Sequence, residues 1–348
     1  MKRVAIIILT FNGQKYLPKL LGSIFDCRSN LANFEVIVVD NCSTDKTVDY
    51  INKNFSQVLV LPQNNNWGFA KGNNIGMEYA IKKQFDYVFL LNQDIIVTVN
   101  FLDKLILAIE KDNNLAAVQP LLMLYPDTQK VNSLGNVIHF LGFGYTYGHQ
   151  QKIDELPQNI KEINYCSGAA CLIKTEVLKK IGLFNEDFFM YHEDLDLGWR
   201  LKLMNYRQEV VREAIVYHQY EFSRSIKKYY FMERNRFMVI LQNYHLLTLI
   251  LILPALLLME IGLFIFSFKN GWWQEKLKVY GYFFDFKNWK KIINHRKITQ
   301  RLRRKKEKQV VADFSGKIEH QEINNPLLNI INPFFDLYWQ IVKLLIIW

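Results

Sequence analysis

The sequence predicts an α/β protein with a mostly parallel open sheet flanked by helices. Over roughly the first 220 residues, short β-branched runs alternate with stretches whose apolar residues have helical spacing. These runs are apolar at consecutive positions, which is typical of parallel strands buried on both faces. Polar side chains follow directly after several runs, and open α/β sheets bind their ligands at that edge.

Four strands and three helices alternate along the first part of the chain. The strands are predicted at Val4–Leu9, Phe34–Val39, Val58–Leu61 and Tyr87–Leu91. The helices are predicted at Tyr16–Phe25, from an N-cap at Ser43 through Ile51, and at about Phe69–Lys83. This alternation favours right-handed crossover connections within one sheet.

The next part of the chain continues the domain. Residues 125–163 are rich in polar, glycine and aromatic residues and are interpreted as an insertion that shapes a pocket. We expect a strand at Tyr165–Ile173, a helix at Asp194–Met204 and a late strand at Arg207–Tyr217 that ends at His218.

Composition excludes a wholly disordered chain and favours an anionic partner. Half of the 348 residues are apolar, and the formal net charge is +10. The spacing of the four cysteines fits no zinc or disulfide framework, which favours a reduced, cytosolic compartment. They are Cys27, Cys42, Cys166 and Cys171. The apolar run at residues 4–9 is too short for a signal peptide, so we interpret it as a buried strand.

Polar residues at three strand ends are candidates for binding a ligand. Thr10 and Asn12 follow the first strand, Asp40 ends the second, and Asn92 follows the fourth. Asp40 has the position to accept a hydrogen bond from a pyrimidine imide or a ribose hydroxyl, as nucleotide recognition requires. The alternative is that Asp40 caps the turn into the following helix.

Asp94 and His218 are candidate metal ligands. A carboxylate after an apolar strand is a suitable oxygen ligand for Mg²⁺ or Mn²⁺ that bridges a diphosphate, although Asp94 is also in a position to cap a helix. His218 would complete the site, but a single histidine at a strand end is also common in purely structural roles.

Acidic residues are most concentrated in the stretch HEDLDLGWR, residues 192–200. Glu193, Asp194 and Asp196 lie at a predicted helix start, where the helix dipole favours acids without any catalytic role. Asp194 shares a face with two inward leucines and is therefore a candidate general base. Asp196 and Arg200 are four residues apart and are expected to form an ion pair along the helix.

Several of these motifs, in this order, resemble a family 2 glycosyltransferase of GT-A fold, and most closely its rhamnosyltransferase-like branch. The resemblance spans about 220 residues. It rests on VAIIILTFNG (4–13), EVIVVDNCSTD (35–45), NNNWGFAKGNNIGM (64–77), YVFLLNQD (87–94), YCSGAACLIKTEVLKKIGLFNEDFF (165–189) and MYHEDLDLGWRL (190–201).

The resemblance implies roles for individual residues. Thr10, Asn12 and Asp40 match nucleotide-contacting positions, and Asn73 falls in the loop that closes over the nucleotide. Asn92 replaces the first acid of the DxD motif, as in many relatives, so dependence on Mg²⁺ or Mn²⁺ rests on Asp94 and His218. Asp194 matches the catalytic base, with Glu193 beside it.

The implied reaction is inverting transfer of a sugar, with rhamnose a candidate, from a nucleotide-sugar donor to a glycan or lipid-linked glycan in cell-surface polysaccharide synthesis. A polyprenyl-phosphate glycosyltransferase shares the fold and is the alternative enzyme. A non-catalytic membrane scaffold is disfavoured because Asp40, Asp94 and Asp194 are all retained. A nucleic-acid module is disfavoured because the aromatic stacking motifs of RNA-binding domains are absent.

The division of the chain follows a change of composition after residue 238. Residues 1–238 are predicted to form the catalytic domain, with the nucleotide-sugar half at about 1–120 and the acceptor half at about 121–238. Residues 239–348 are predicted to form an apolar and basic helical region that associates with a membrane.

The C-terminal region predicts attachment to the cytoplasmic face of a membrane. Leu246–Phe268 is long enough to cross a bilayer, but a single crossing would put the basic residues 287–308 on the far side from the cytoplasmic catalytic domain. Peripheral or monotopic attachment avoids that conflict. The basic stretch would then contact anionic lipid, together with the apolar tail Pro333–Trp348.

Overall fold

The computed structural model describes residues 1–159, 161–220, 227–319 and 327–348. The chain forms two compact units, each built from several stretches of sequence. The first comprises Met1–Asn136, Thr146–Phe189 and Tyr206–Glu221, and the second comprises Val137–Tyr145, Met190–Asn205 and Phe222–Trp348. The boundaries of these two units differ from the functional division predicted at about residue 238. That division therefore remains a prediction.

A nine-stranded mixed sheet is the framework of the first unit, in the order β3-β2-β1-β4-β10-β6-β11-β5 with β7 paired to β6. Its strands are β1 (Lys2–Thr10), β2 (Ala32–Asp40), β3 (Leu59–Pro62), β4 (Tyr87–Asn92), β5 (Ile95–Val97), β6 (Leu115–Leu124), β7 (Val131–Ser133), β10 (Ala170–Lys174) and β11 (Arg207–His218). The helices are α1 (Leu17–Phe25), α2 (Thr47–Asn54), α3 (Gly68–Lys82), α4 (Phe101–Ile109) and α5 (Thr175–Ile181).

Parallel pairing of β1 with β2 and β4 brings together the strands predicted from the sequence. The register places Thr10 opposite Asp40 and Leu9 opposite Asn92. Val4 to Ile8 have no exposed surface, which accounts for the continuous apolar run in the sequence. The α/β architecture predicted from the sequence is confirmed, and the carboxyl ends of these strands share one edge.

The central strand β10 runs antiparallel to both β4 and β6. It begins at Ala170, so the prediction of a strand from Tyr165 was wrong at its start. Ala170 N donates a hydrogen bond to Ser167 O at 3.2 Å, and this turn at Gly168 interrupts the extended chain. The predicted insertion at 125–163 contains short strands, including the ribbon of β8 (Asn136–Ile138) and β9 (Gly144–Thr146).

The prediction that Ser43 caps α2 was wrong. The helix begins at Thr47, because Asp45 Oδ1 accepts a hydrogen bond from Thr47 N at 3.0 Å and ends the preceding loop. Ser43 Oγ instead accepts a hydrogen bond from Asn12 N at 2.9 Å. Ser43 therefore joins two loops at the edge of the sheet.

Glycines of α3 allow that helix to lie directly on the sheet. A Cβ at Gly72 would stand 2.4 Å from a methyl group of Leu9, and one at Gly76 would stand 2.5 Å from a methyl group of Ile7. Close approach of α3 to β1 therefore requires glycine at both positions.

The second unit is helical. It contains α6 (Glu193–Leu203), α7 (Lys227–Asn243), α8 (Leu246–Lys269), α9 (Trp273–Phe284), α10 (Phe286–Leu302), α11 (Glu307–Val310) and α12 (Leu327–Leu345). Trp199 is fully buried, with its ring edge-on to Tyr244 at 4.6 Å and to Phe314 at 4.7 Å between centroids. Within the described ranges, one helix is long enough and apolar enough to cross a membrane. This helix is α8, and the criterion is length and composition alone.

Candidate functional site

Asp40 ends β2 as a buried carboxylate that is only half satisfied. Its Oδ2 accepts a hydrogen bond from Ser43 N at 3.1 Å, which holds the loop after β2. Its Oδ1 is buried and has no hydrogen-bond partner among the described residues. A buried carboxylate oxygen without a donor costs about 1–3 kcal/mol or more, so this atom is suited to a donor that arrives with a ligand.

Thr10, at the end of β1, is bonded to a residue that the sequence analysis did not single out. Thr10 Oγ1 donates to Gln93 Oε1 at 2.7 Å, and the same oxygen accepts from Phe11 N at 3.1 Å. Gln93 thereby ties the end of β1 to the turn after β4. Its place between Asn92 and Asp94 was the only signal that pointed to it.

Asn12 links the loop after β1 to the loop after β2. Its backbone has a positive φ of 51°, and its Oδ1 accepts a hydrogen bond from Thr44 N at 2.8 Å. Asn41, which directly follows Asp40, has a similar function in the next loop. It donates from Nδ2 to Asn66 Oδ1 at 2.9 Å and accepts from Trp67 N at 2.8 Å.

Asn73 lies inside α3, so its predicted position in a loop was wrong. The side chain is 2% exposed, and its Nδ2 donates to Phe69 O, one helical turn earlier, at 3.0 Å. Asn92 is the last residue of β4 and is partly exposed. The nucleotide-binding roles of Asn73 and Asn92 remain predictions.

Asp94 and His218 are adjacent, although 124 positions separate them in the chain. Asp94 lies in the two-residue turn between β4 and β5, and β5 pairs antiparallel with β11 so that Ile95 is opposite His218. His218 Nε2 lies 3.3 Å from Asp94 Oδ1. Asp94 is consequently in a tight strand connection and does not cap a helix.

The contact to Asn132 fixes the orientation of the imidazole. His218 Nδ1 lies 2.9 Å from Asn132 Oδ1, and an amide oxygen only accepts, so Nδ1 carries the proton. In the neutral imidazole, the lone pair of Nε2 is then available beside Asp94 Oδ1, which is buried and accepts no hydrogen bond in the described structure. Two adjacent atoms with free lone pairs are suited to a shared cation.

No three His, Cys, Asp or Glu side chains of the described residues form a group that could hold a metal ion. A complete protein cage is therefore not present in this part of the chain. Divalent cations of Mg²⁺ type are commonly held by one or two protein ligands together with substrate phosphates. The pair formed by Asp94 and His218 fits that arrangement.

The acidic motif in the second unit contains three carboxylates with different surroundings. Asp196 is buried, and its Oδ2 lies 2.8 Å from Arg200 Nε, so the predicted ion pair along the helix is confirmed. Its Oδ1 accepts from Asn243 Nδ2 at 2.9 Å. Asp196 is thus fully engaged in packing α6 against α7.

Glu193 and Asp194 differ in their exposure. Glu193 is 5% exposed with Oε2 buried and unpartnered among the described residues, whereas Asp194 is partly exposed. Burial, together with the charges of Asp194 and Asp196, raises the pKa of Glu193 well above its usual range. Glu193 is therefore held in surroundings that disfavour its charged form, and its burial keeps it from solvent, whereas Asp194 is partly exposed.

The turn before α6 is held in an unusual backbone conformation. Tyr191 and His192 both have a φ of 68°, and Asn235 Nδ2 donates to Met190 O and Tyr191 O, each at 2.8 Å. His192 Nε2 donates to Gly142 O at 3.2 Å. Burial and the charge of Arg236 lower the pKa of His192 to about 4, so its ring is neutral at physiological pH.

A family comparison identifies the chain. The model of the family described as Glycosyl transferase family 2 matches residues 5–182, which is just over half of the chain. The chain belongs to glycosyl transferase family 2. The matched segment contains the strand-end residues from Thr10 to Asp94, and it ends before the acidic motif at residues 192–200.

Curated relatives are modestly similar to this family 2 chain. The low-salt glycan biosynthesis hexosyltransferase Agl10 of Haloferax volcanii is 24% identical over 209 residues, covering 58% of this chain and 62% of Agl10. An N-acetylglucosaminyl-diphospho-decaprenol L-rhamnosyltransferase of Mycobacterium tuberculosis is 24% identical over 233 residues, covering 61% and 75%. The chain thus spans less than two thirds of the length of Agl10.

Solved structures show that this family 2 chain has the GT-A type of fold. The structure of S. aureus TarS in complex with UDP is 20% identical with a TM-score of 0.51, covering 99% of this chain and 90% of that one. The structure of GalNAc-T7 with UDP, GalNAc and Mn²⁺ is 16% identical with a TM-score of 0.54, covering 67% and 47%.

Proposed function

We propose that this family 2 chain transfers a sugar, with inversion, from a nucleoside-diphosphate sugar to a hydroxyl group of a glycan or lipid-linked glycan. Rhamnose is the candidate sugar, since the decaprenol-linked relative is a rhamnosyltransferase. The observation that supports the proposal best is the buried, unpartnered Oδ1 of Asp40 at the carboxyl edge of the sheet. An imide N–H or a ribose hydroxyl of the nucleotide would satisfy this oxygen.

Asp94 and His218 would hold a divalent cation, Mg²⁺ or Mn²⁺, by one carboxylate oxygen and Nε2. Bound there, the cation would neutralise charge on the leaving diphosphate. Gln93 and Asn12 keep the loops after β1, β2 and β4 in place through the hydrogen bonds described above. Binding of the donor would therefore need little rearrangement of the backbone at this edge.

Asp194 is the proposed general base. Of the three carboxylates at the start of α6, Asp196 is paired with Arg200 and the pKa of Glu193 is raised by burial, which leaves Asp194 as the partly exposed acid. Asp194 would accept the proton of the acceptor hydroxyl. The oxygen then forms a bond to the anomeric carbon as the bond from that carbon to the diphosphate breaks.

Attachment to the cytoplasmic face of a membrane is proposed from the second unit. Helices α8 and α12 both present large exposed apolar residues along their length. They include Ile250, Leu253, Leu257, Ile261, Phe334, Leu337, Ile341 and Leu344. Phe284 and Phe286, at the junction of α9 and α10, are 84% and 89% exposed and stand beside the exposed Lys287. These features favour helices that lie in the interface.

Not every residue of the basic stretch is available to lipid. Arg296 Nη1 donates to Tyr244 O at 2.8 Å, and Arg303 Nη2 donates to Asn243 O at 2.7 Å. These two cations stabilise the carboxyl end of α7, where the helix dipole favours positive charge. The exposed cations that remain for anionic head groups include Lys290, Lys297 and Arg301.

A panel of nucleotide sugars tests the proposal. Thermal unfolding is measured with each nucleotide sugar, with and without Mn²⁺, because a ligand that binds the folded state raises the unfolding temperature. We expect a shift with at least one donor that depends on Mn²⁺, followed by transfer when an acceptor is supplied. An absence of binding across the panel would contradict the proposed function.

A further inference from the structure

A cavity of about 220 Å³ lies within the second unit, between α7, α8 and the turn before α6. Its lining includes His192 and Arg236 on one side and Met259, Leu263 and Phe266 of α8 on the other. His192 directly precedes Glu193 and Asp194 in the chain. The motif that contains the proposed base therefore contributes one residue, His192, to the lining of this cavity.

The charged side chains beside the cavity neutralise one another. Arg236 Nη2 is paired with Glu233 at 3.0 Å and also with Glu260, and Lys276 Nζ lies 2.8 Å from Glu260 and contacts Glu233. Two cations and two carboxylates are thus bonded in one group, in which Glu233, Arg236 and Lys276 are buried. Because this group has no net charge, it offers no site for a phosphate, and the apolar walls determine what the cavity accepts.

A second cavity of about 320 Å³ adjoins the first along the same helix. It is lined by Pro254, Ala255 and Leu258 of α8 and by Phe334, Phe335 and Tyr338 of α12, and Ile331 lines both cavities. The stretch of α8 from Pro254 to Phe266 extends about 18 Å at about 1.5 Å per residue. The two cavities therefore follow one another along α8, and a ligand that occupies both has to be elongated.

The volume is sufficient for a segment of hydrocarbon. An apolar cavity of about 150 Å³ accepts a benzene-sized molecule, so each of these two exceeds what one such group needs. Leu258 lines the second cavity and is 63% exposed, so this cavity borders the exposed apolar face of α8. If that face contacts lipid, as in the proposed function, a hydrocarbon chain reaches the cavities from the bilayer without passing through water.

We propose that the two cavities bind the hydrocarbon chain of a lipid-linked acceptor, next to the motif at residues 192–194. The proposal rests on the proposed function and adds that the acceptor is lipid-linked and that this chain has a dedicated site for the lipid. The polar head of the acceptor, including its phosphate, lies outside the two cavities because their charged neighbours are already paired.

The chain offers a matched pair of glycines for the test. A Cβ at Gly262, which lines the first cavity, would meet no heavy atom within 4 Å, and the same holds for Gly281 on α9, which lines neither cavity. Gly262→Trp should therefore narrow the cavity without disturbing the fold, and Gly281→Trp is the control. Both variants exchange an exposed helical glycine for tryptophan.

The probe is farnesol with a photoreactive diazirine at its terminal isoprene unit, added to phosphatidylcholine vesicles that contain the full chain. After irradiation, mass spectrometry locates the labelled residues. We expect labels on residues that line the cavities, such as Met259 and Phe335, in the wild-type chain and in Gly281→Trp. In Gly262→Trp these labels should fall at least several-fold.

Two results would overturn the inference. One is equal labelling of the lining residues in both variants, and the other is labelling confined to outward residues such as Leu257 and Ile261. Nucleotide-sugar binding is measured on the same samples. Absence of cavity labelling in a wild-type chain that binds the donor contradicts the lipid site alone, whereas normal labelling in a wild-type chain that binds no donor contradicts only the proposed function.

Discussion

His218 Nε2 lies 3.3 Å from Asp94 Oδ1, and the pairing of β11 with β5 produces this proximity. Asn132 fixes the proton on Nδ1 and leaves Nε2 facing the carboxylate. The geometry suits a cation between the two side chains. It also suits a direct ion pair when the imidazole is protonated, and metal-dependent binding distinguishes the two.

We expect Asp94→Ala and His218→Ala each to abolish the Mn²⁺-dependent part of UDP affinity, because each removes one of two protein ligands. Titration calorimetry with Mn²⁺ and with EDTA measures this. Asp127→Asn, an exposed acid paired with Lys130, is the control and should bind as the wild type does. UDP affinity that is insensitive to EDTA in the wild-type chain would exclude a metal site at this pair.

Asp40→Asn tests recognition of the nucleotide. Asparagine has the same size as aspartate, but one of the two carboxylate oxygens, which accept hydrogen bonds, is replaced by an NH₂ group, which donates them. We expect the dissociation constant for the nucleotide to rise by about 10- to 100-fold, which corresponds to about 1–3 kcal/mol for an unsatisfied hydrogen bond. Unchanged affinity, measured by calorimetry in a folded variant, would leave Oδ1 of Asp40 without the proposed role.

Glu193→Gln should stabilise the protein at alkaline pH. Because the folded pKa of Glu193 lies above its unfolded value, the ionised form destabilises the fold above the folded pKa, and protonation relieves this as pH falls. We expect the variant to be more stable than the wild type at pH 8, because glutamine has no charged form to bury. The gain should vanish near pH 4. A variant less stable than the wild type at pH 8, by denaturant titration, would contradict this.

Leu257→Lys combined with Ile261→Lys tests the membrane surface of α8. These side chains are 57% and 60% exposed, so charge there should leave the fold intact but weaken attachment to lipid. Flotation with vesicles of mixed anionic and neutral lipid should show a large loss of bound protein. Leu107→Lys, at a similarly exposed leucine of α4, should float like the wild type. Equal flotation of both variants would exclude α8 as the attachment surface.

The sequence predicted the parallel core well because its strands are local and continuously apolar. Val4–Leu9 and Tyr87–Leu91 were found close to their observed bounds, and Thr10, Asp40 and Asn92 then had to share an edge. The bounds and direction of the antiparallel strand β10 depend on its pairing with β4 and β6, which are distant in sequence. A local sequence pattern does not indicate which strands will pair.

The same limit applies to the candidate site. His218 was named from its place at a strand end, but its contact with Asp94 requires the three-residue strand β5, which is too short to show a period. Asn73 was placed in a loop by resemblance, although the sequence pattern predicted a helix at about Phe69–Lys83, and the structure confirms the helix. Arg296 and Arg303 belonged to a basic run, and only the packing of α10 on α7 shows which cations are structural.

The central claim is that Asp194 is the base of a sugar transfer, and single-turnover transfer by Asp194→Asn tests it most directly. The substitution removes a proton acceptor while keeping the size of the side chain. Transfer should fall by about 10²–10⁴-fold. Donor affinity should stay at the wild-type value, and Glu193→Gln should transfer at nearly the wild-type rate. Near-wild-type transfer by Asp194→Asn, with the loss appearing in Glu193→Gln instead, would contradict the account.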